Sequence, residues 1–348
     1  MQTLSDHSID SLSDALSRNG HNPSNAWRVL REYWRGDGSL DLSTIGIAKS
    51  AREWLGQHFI PRHSHVLHRH ESVDGTIKLL IGFAGGGAVE CVLMPSHRPD
   101  RAAVCLSSQI GCAMGCDFCA STKGGLERNL SIGEIVEQFM HLRAEARRQS
   151  RRIASLVFMG MGEPMHNLDS VIPAIRLLAA PGLGALGNRA ITVSTVGIVP
   201  GIDRLAEADV GVHLALSLHA PDDETRSRLI PSNRKWPIAD IIAAAKRFQD
   251  RCGRPVNIEY CILGDVNDSD EQAKLLAELM CGFRAHVNLI PYNAIGAGLS
   301  GAVYRRPDDA RIARFAEILR DEKVVVHIRQ TRGDDVAAAC GQLRLING

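Results

Sequence analysis

Cys112, Cys116 and Cys119 stand in the stretch Cys112-Ala-Met-Gly-Cys116-Asp-Phe-Cys119, a C-x3-C-x2-C run on one tight loop. Three thiolates at that spacing can bind three irons of a four-iron, four-sulfur cluster and leave the fourth iron open for chemistry. Two blander uses compete with this one: a zinc site and buried apolar thiols. A structural zinc site takes four protein ligands, and no fourth cysteine or histidine lies within the loop, although a distant one could complete the set.

The loop needs a scaffold, and the flanking sequence describes one. Immediately after it, Ser131-Ile-Gly-Glu134 has the form of a capping box and opens a helix that runs toward Arg148. Beyond Val104, β-rich segments recur between helical ones: Val104 to Ser107, Ile153 to Met159, Ala190 to Thr195, Val212 to Leu218, Val256 to Leu263, Val287 to Ile290 and Val324 to Ile328. Strands alternating with helices predict βαβ units on a parallel sheet, and the repeated order favours a barrel or partial barrel. Ligands bind such folds at the carboxyl edge of the strands, which is where the cysteine loop falls. Upstream, Trp27, Leu30 and Trp34 share one helical stripe and Arg28, Arg31 and Arg35 the neighbouring one, so the chain up to about Phe59 reads as a small helical unit. Between the two regions, apolar runs from Ile77 to Met94 flank Gly85-Gly86-Gly87 and predict a β-hairpin that joins them.

Composition sets the outer limits. The chain has 348 residues, 45% hydrophobic and 23% charged, enough for one large domain and a small one. Nine cysteines, three of them in one loop, favour metal or redox chemistry over a disulfide framework. The amino terminus has no basic stretch followed by an apolar run, and no segment approaches a membrane span, so a cytoplasmic protein without a membrane role is expected. A net charge of +1 neither supports nor excludes nucleic acid.

The cysteine run, with Phe118 before its last cysteine, resembles the radical SAM superfamily, whose open iron binds S-adenosyl-L-methionine. Further motifs narrow the resemblance. Phe158-Met-Gly-Met-Gly-Glu-Pro164, Ser194-Thr-Val-Gly197, Ser217-Leu-His219, Asn288-Leu-Ile-Pro-Tyr-Asn293 and Arg332-Gly-Asp-Asp-Val-Ala-Ala-Ala-Cys-Gly-Gln-Leu343 together resemble the RNA adenine methyltransferase family known as RlmN/Cfr. The resemblance implies an α/β fold: a partial (βα) TIM-like barrel of the radical SAM type, with a small N-terminal helical domain and a β-hairpin. Expected boundaries are 1–75 for the helical accessory domain, 76–97 for the hairpin linker, 98–340 for the barrel and 341–348 for a short C-terminal tail.

The same resemblance implies a reaction. Adenine C2 and C8 are not nucleophilic, so polar methyl transfer fails and a radical route is needed. In the family, a cysteine near the carboxyl end takes a methyl group by displacement, loses a hydrogen from it to a radical, and adds the methylene to the base; that position matches Cys340. A second thiol takes a proton from the base and frees the RNA by a transient disulfide, and it matches Cys105. Glu90 falls where the family has an acidic residue assigned to proton transfer, although extra residues around Ser96-His-Arg-Pro-Asp100 loosen that match. Gly162, Glu163, Ser194, Ser217, Leu218, His219 and Asn293 match positions that hold S-adenosyl-L-methionine. Implied cofactors are one 4Fe-4S cluster and S-adenosyl-L-methionine; implied partners are RNA, with 23S rRNA first and tRNA second, and a reducing donor such as flavodoxin, acting on a monomer.

Without the resemblance, Cys340 and Cys105 read as packing residues, and Cys91, Cys252, Cys261 and Cys281 still do. Arg143, Arg147, Arg148, Arg151 and Arg152 form a basic cluster that suits either phosphate or the end of a helix. His63, His65, His68 and His70, interleaved with Arg62 and Arg69, read as a solvated or RNA-facing loop. The favoured activity is C2 methylation of adenosine. Arg332-Gly-Asp-Asp335 is nearer the C2 type, while the short stretch after Cys340 is nearer the C8 type. Alternatives are C8 methylation, a radical enzyme acting on a peptide or small molecule, and a noncatalytic metal-containing RNA-binding module.

Overall fold

The computed structural model describes residues 2–60 and 62–344. Ten strands make one sheet: β1 (Ser64–Glu71), β2 (Ile77–Phe83), β3 (Ala88–Pro95), β4 (Arg101–Cys105), β5 (Arg152–Phe158), β6 (Ile191–Thr195), β7 (His213–Ser217), β8 (Val256–Ile262), β9 (Ala285–Pro291) and β10 (Val325–Ile328). Their order across the sheet is their order along the chain. From β4 to β10 every neighbour is parallel, while β1 to β4 pair antiparallel.

Helices occupy each parallel crossover, as parallel pairing requires. They are α4 (Ile132–Arg148), α5 (Leu168–Ala179), α6 (Val199–Glu207), α7 (Asp223–Leu229) with α8 (Ile238–Cys252), α9 (Asp270–Met280) and α10 (Asp309–Asp321). The expected capping box at Ser131 and Glu134 is formed in both directions and fixes where α4 begins. Strand β8 shows how the sheet sorts its faces. Val256, Ile258, Tyr260 and Ile262 are buried toward the helices, while Asn257, Glu259 and Cys261 alternate onto the concave side.

The hairpin is more than a connector. β3 pairs with β4, so β1, β2 and β3 extend the barrel sheet. The histidine-rich stretch read as a loop is strand β1: His65, His68 and His70 stand exposed along this edge, and His63 precedes it. The tract alternates polar residues without an apolar face, which hides a strand from pattern reading.

The N-terminal helices α1 (Ile9–Arg18), α2 (Asn25–Arg35) and α3 (Lys49–His58) pack beside α4. Leu30 and Trp34 are buried as the stripe predicts, whereas Trp27 stays 38% exposed. Arg143 lies over the rings of Trp34 and Phe139, at 5.7 and 5.3 Å from their centroids, and donates to Asp37 at 2.5 Å. Arg147 pairs with the same carboxylate. Much of the basic cluster at the end of α4 therefore joins the helical unit to the barrel.

The chain after β10 crosses back to the hairpin. Asp335 accepts from the Ser72 hydroxyl at 2.5 Å and the Val73 N–H at 3.2 Å, and Gly333 N–H donates to Asp74 at 3.2 Å. The expected tail is described as far as Arg344; residues 345–348 lie outside the described residues.

Candidate active site

A cavity of ≈ 140 Å³ opens at the carboxyl ends of the parallel strands, the edge at which such folds bind ligands. Cys112, Cys116 and Cys119 all line it. Their loop is pinned on several sides. Cys112 N–H donates to Gly125 O at 2.9 Å, the Thr122 hydroxyl donates to the carbonyls of Cys116 and Cys119, and Asp117 accepts from the Ser300 and Tyr304 hydroxyls at 2.6 and 2.5 Å. Burial pushes all three thiols up, Cys112 to about 12, so metal loading has to displace thiol protons. Among the described residues no three His, Cys, Asp or Glu side chains gather tightly enough for one ion. The donor set fits a cluster whose irons each take one thiolate, which asks for wider spacing than a single ion does.

Glu163 supplies the strongest electrostatic feature. It is buried, and desolvation raises its carboxyl to about 7 against donation from the Val196 and Met165 N–H groups. No cation pairs with it among the described residues. A buried carboxylate lining a cavity in this state suits a ligand ammonium group. Gly162 beside it has φ of 99°, and a Cβ there would meet Gln109 at 2.6 Å, so the turn demands glycine. Ser194 and Ser217 line the cavity, with the Ser194 hydroxyl donating to Phe158 O at 2.6 Å. His219 also lines it; burial lowers its pKa to about 3 and its Nδ1 accepts from Cys261 N–H at 2.8 Å, so the ring is neutral with its proton on Nε2. Leu218 and Asn293 do not line the cavity. Leu218 points into the core, and Asn293 donates its amide to Cys340 O at 3.2 Å.

Cys340 reaches the same cavity from the far end of the chain. Left-handed backbone at Gly333, Ala337 and Gly341 coils this segment, while Ala338 and Ala339 are buried beneath it. The next residues bind the cluster loop: Ala120 N–H donates to Gly341 O at 2.7 Å and the Ser121 hydroxyl to Leu343 O at 2.6 Å. Cys340 is exposed as a residue, and desolvation raises its thiol pKa. Cys105 ends β4 just behind. Burial raises its thiol to about 12, with the nearby Cys340 pushing the same way and the Met159 backbone opposing. Both are free thiols.

Glu90 is placed off the cavity wall. Its carboxylate pairs with Lys78 at 2.8 Å, both buried, and accepts from Arg344 N–H at 2.8 Å. Lys78 also donates to Ala337 O at 3.1 Å.

Three further residues belong to the site or its frame and carry little signal in sequence. Glu259 and Cys261 line the cavity from β8, which corrects the reading of Cys261 as packing alone. A lone glutamate in an apolar strand, Val256-Asn-Ile-Glu-Tyr-Cys-Ile262, was the available clue. Arg226 on α7 is fully buried and binds the carbonyls of Val196, Ser217 and Leu218 at 2.5, 3.2 and 2.9 Å. It ties two strand ends together and brings a positive charge to Cys116.

Residues 106–277 match the family model described as the Radical SAM superfamily. A relative from Opitutus terrae, named probable dual-specificity RNA methyltransferase RlmN 1, is 50% identical over 99% of this chain and 98% of its own length. Another from Rhodopirellula baltica, named probable dual-specificity RNA methyltransferase RlmN, is 42% identical over 98% of this chain and 90% of its own. The crystal structure of a radical SAM methyltransferase from Sphaerobacter thermophilus superposes with a TM-score of 0.92 at 40% identity, covering 99% of both chains.

Proposed function

The chain belongs to the RlmN/Cfr family of radical SAM methyltransferases, and from that membership we propose that it methylates an adenine carbon in RNA, C2 in preference to C8. The substrates are 23S rRNA and, second, tRNA, which the relatives' dual-specificity name supports. One observation carries the reading: Cys340, far from the cluster loop in sequence, lines the same cavity as Cys112, Cys116 and Cys119, with Cys105 behind it. A radical enzyme for peptides or small molecules has no use for that pair.

When bound, the cluster supplies the electron that splits S-adenosyl-L-methionine to a carbon radical. Cys112, Cys116 and Cys119 would hold it. Glu163 would take the ligand's ammonium group, with Gly162, Ser194, Ser217 and His219 lining its remaining surface. Cys340 carries the methyl group, and the hydrogen bonds from Asn293 to Cys340 O and from Ala120 to Gly341 O fix the backbone that follows its thiol. Cys105 takes the proton from the base carbon and closes a transient disulfide onto Cys340, freeing the RNA. Burial raises its thiol to about 12, so the resting group is protonated and must give up that proton before it can act as the base. Glu90, held by Lys78 and Arg344 in this resting arrangement, supports proton transfer only after that pairing changes. The reading includes a reducing donor such as flavodoxin and action in the cytoplasm, where ribosomal RNA is found.

Replacing Cys105 with alanine is the decisive experiment. The enzyme should accumulate a covalent RNA adduct at Cys340, visible as a shifted band that nuclease digestion trims to a nucleotide-modified peptide by mass spectrometry. Free methylated RNA at the normal rate would remove Cys105 from the reaction.

A further inference from the structure

The concave face of the sheet below the cavity has an unusual lining for a barrel interior. In a closed (βα) barrel those positions pack as layers of bulky apolar side chains. Here the residues that share the face of Ser194, Ser217, Glu259 and Ile290 are Thr192, His213, Asn257, His286, Asn288 and His327. Strand register places them in rows: Thr192 opposite His213, Asn257 opposite His286, and Asn288 opposite His327. All remain partly or fully open to solvent, because β1 and β10 end the sheet without pairing and the barrel stays open at that side.

Three imidazoles thus line one trough. His286 and His327 meet edge to face, their centroids 6.0 Å apart, and His213 lies near enough to His286, Arg254 and Arg189 to feel their charge. Asn288 donates to Glu259 at 2.8 Å, His213 is hydrogen-bonded to the Arg189 backbone, and Arg254 donates to Gly211 O, which leaves Asn257, His286 and His327 without a hydrogen-bond partner among the described residues. Flat rings, free amide groups and adjacent guanidinium charge are the means by which proteins hold unstacked RNA: rings stack on bases, amides read base edges and cations take phosphates. Under the RNA-methylation reading the cavity takes cofactor and target base, and the neighbouring nucleotides of the strand need a surface of their own.

We propose that this trough is a subsite for a nucleotide flanking the target adenosine in single-stranded or splayed-out RNA, with His286 and His327 as the stacking pair and Asn257, His213 and Arg254 as polar contacts. The proposal rests on the RNA-methylation reading above. It makes the sheet floor a determinant of which RNA strand is accepted, separate from the chemistry at Cys340.

The test uses the cluster-loaded enzyme and a fluorescent single-stranded RNA oligonucleotide containing adenosine. His286→Ala, His327→Ala, their double variant, and His286→Asn with His327→Asn as a polar control are compared with wild type. Each lost ring should weaken RNA binding, and raise KM for RNA, by roughly tenfold. Turnover at saturating RNA, cleavage of S-adenosyl-L-methionine without RNA, and methylation of Cys340 should stay within about twofold of wild type. Because these rings sit at open positions, folding is checked by an unchanged melting curve and by Cys340 methylation in the same sample. RNA affinity equal to wild type in the double variant overturns the subsite, and so does a parallel loss of Cys340 methylation, which would mark the histidines as structural. Failure of the underlying reading looks different: wild type itself would bind no RNA.

Discussion

Replacing Lys78 with methionine keeps the side-chain stem and removes one buried ammonium group. In the native protein that group pairs with Glu90 at 2.8 Å and donates to Ala337 O at 3.1 Å, with side chains only 6% and 7% exposed. The variant leaves a buried carboxylate whose remaining described partner is Arg344 N–H. Breaking a buried pair from one side costs about 3–5 kcal/mol, whereas removing both charges is close to neutral. At about 2.1 cal/mol/K per residue, unfolding of a chain this size carries roughly 0.7 kcal/mol/K, so the melting midpoint should fall by about 4–7 °C. The double variant Lys78→Met with Glu90→Gln should recover more than half of that loss. Limited proteolysis reads the local effect, since the segment carrying Cys340 loses a tether and should be cut sooner. A Lys78→Met midpoint within about 1 °C of wild type, or a double variant no better than the sum of the singles, refutes the reasoning.

Three further outcomes are expected. Glu163→Gln removes a buried carboxylate matched to a ligand ammonium group and should weaken S-adenosyl-L-methionine binding by about tenfold or more, measured by equilibrium dialysis; unchanged affinity would relocate the ammonium site, with Glu259 the other carboxylate on the cavity wall. His141 has a pKa lowered to about 4 by burial and by Arg62, so the folded state holds fewer protons than the unfolded state between that value and 6.5. Its neutral form therefore supports stability fully above pH 6.5, and that support drains away as pH falls toward 4, by no more than about 3 kcal/mol; His141→Asn should flatten this part of the pH–stability curve. Arg143→Ala, which strips a cation from between Trp34 and Phe139 and leaves Asp37 short of a partner, should destabilise by about 2–4 kcal/mol in denaturant titration, while Arg147→Ala at an exposed site should cost under about 1 kcal/mol.

Local signals carried far in this chain. The βα alternation, the capping box at Ser131 and the cysteine spacing are all written within a few residues of themselves, and each appears in the structure where the spacing implies. What escaped reading was partner choice across long separations. Nothing near Lys78 says that it meets Glu90 and Ala337, and nothing near Arg143 says that its guanidinium lies over Trp34. Cys261 reads as packing because its neighbours are apolar; only the alternation of β8 across the sheet turns it toward the cavity. Strand β1 was hidden for the opposite reason, since an edge strand with polar residues on both faces has no hydrophobic period to detect.

The order of strands in the sheet has a consequence for how the molecule folds. Each strand from β1 to β10 docks on the one made just before it, in short-range steps along the antiparallel strands and across whole helical crossovers, the slower kind of step, from β4 onward. The contacts that tie the segment around Cys340 to the hairpin are of another kind, joining residues 254 to 263 positions apart. Loop closure of that length costs only about 0.6 kcal/mol more than at half the length, yet it must wait until both ends exist in native form. Docking of the segment around Cys340 is thus the late step of folding. A nearly complete protein can hold its cluster loop before it owns the thiol that directs the radical to RNA.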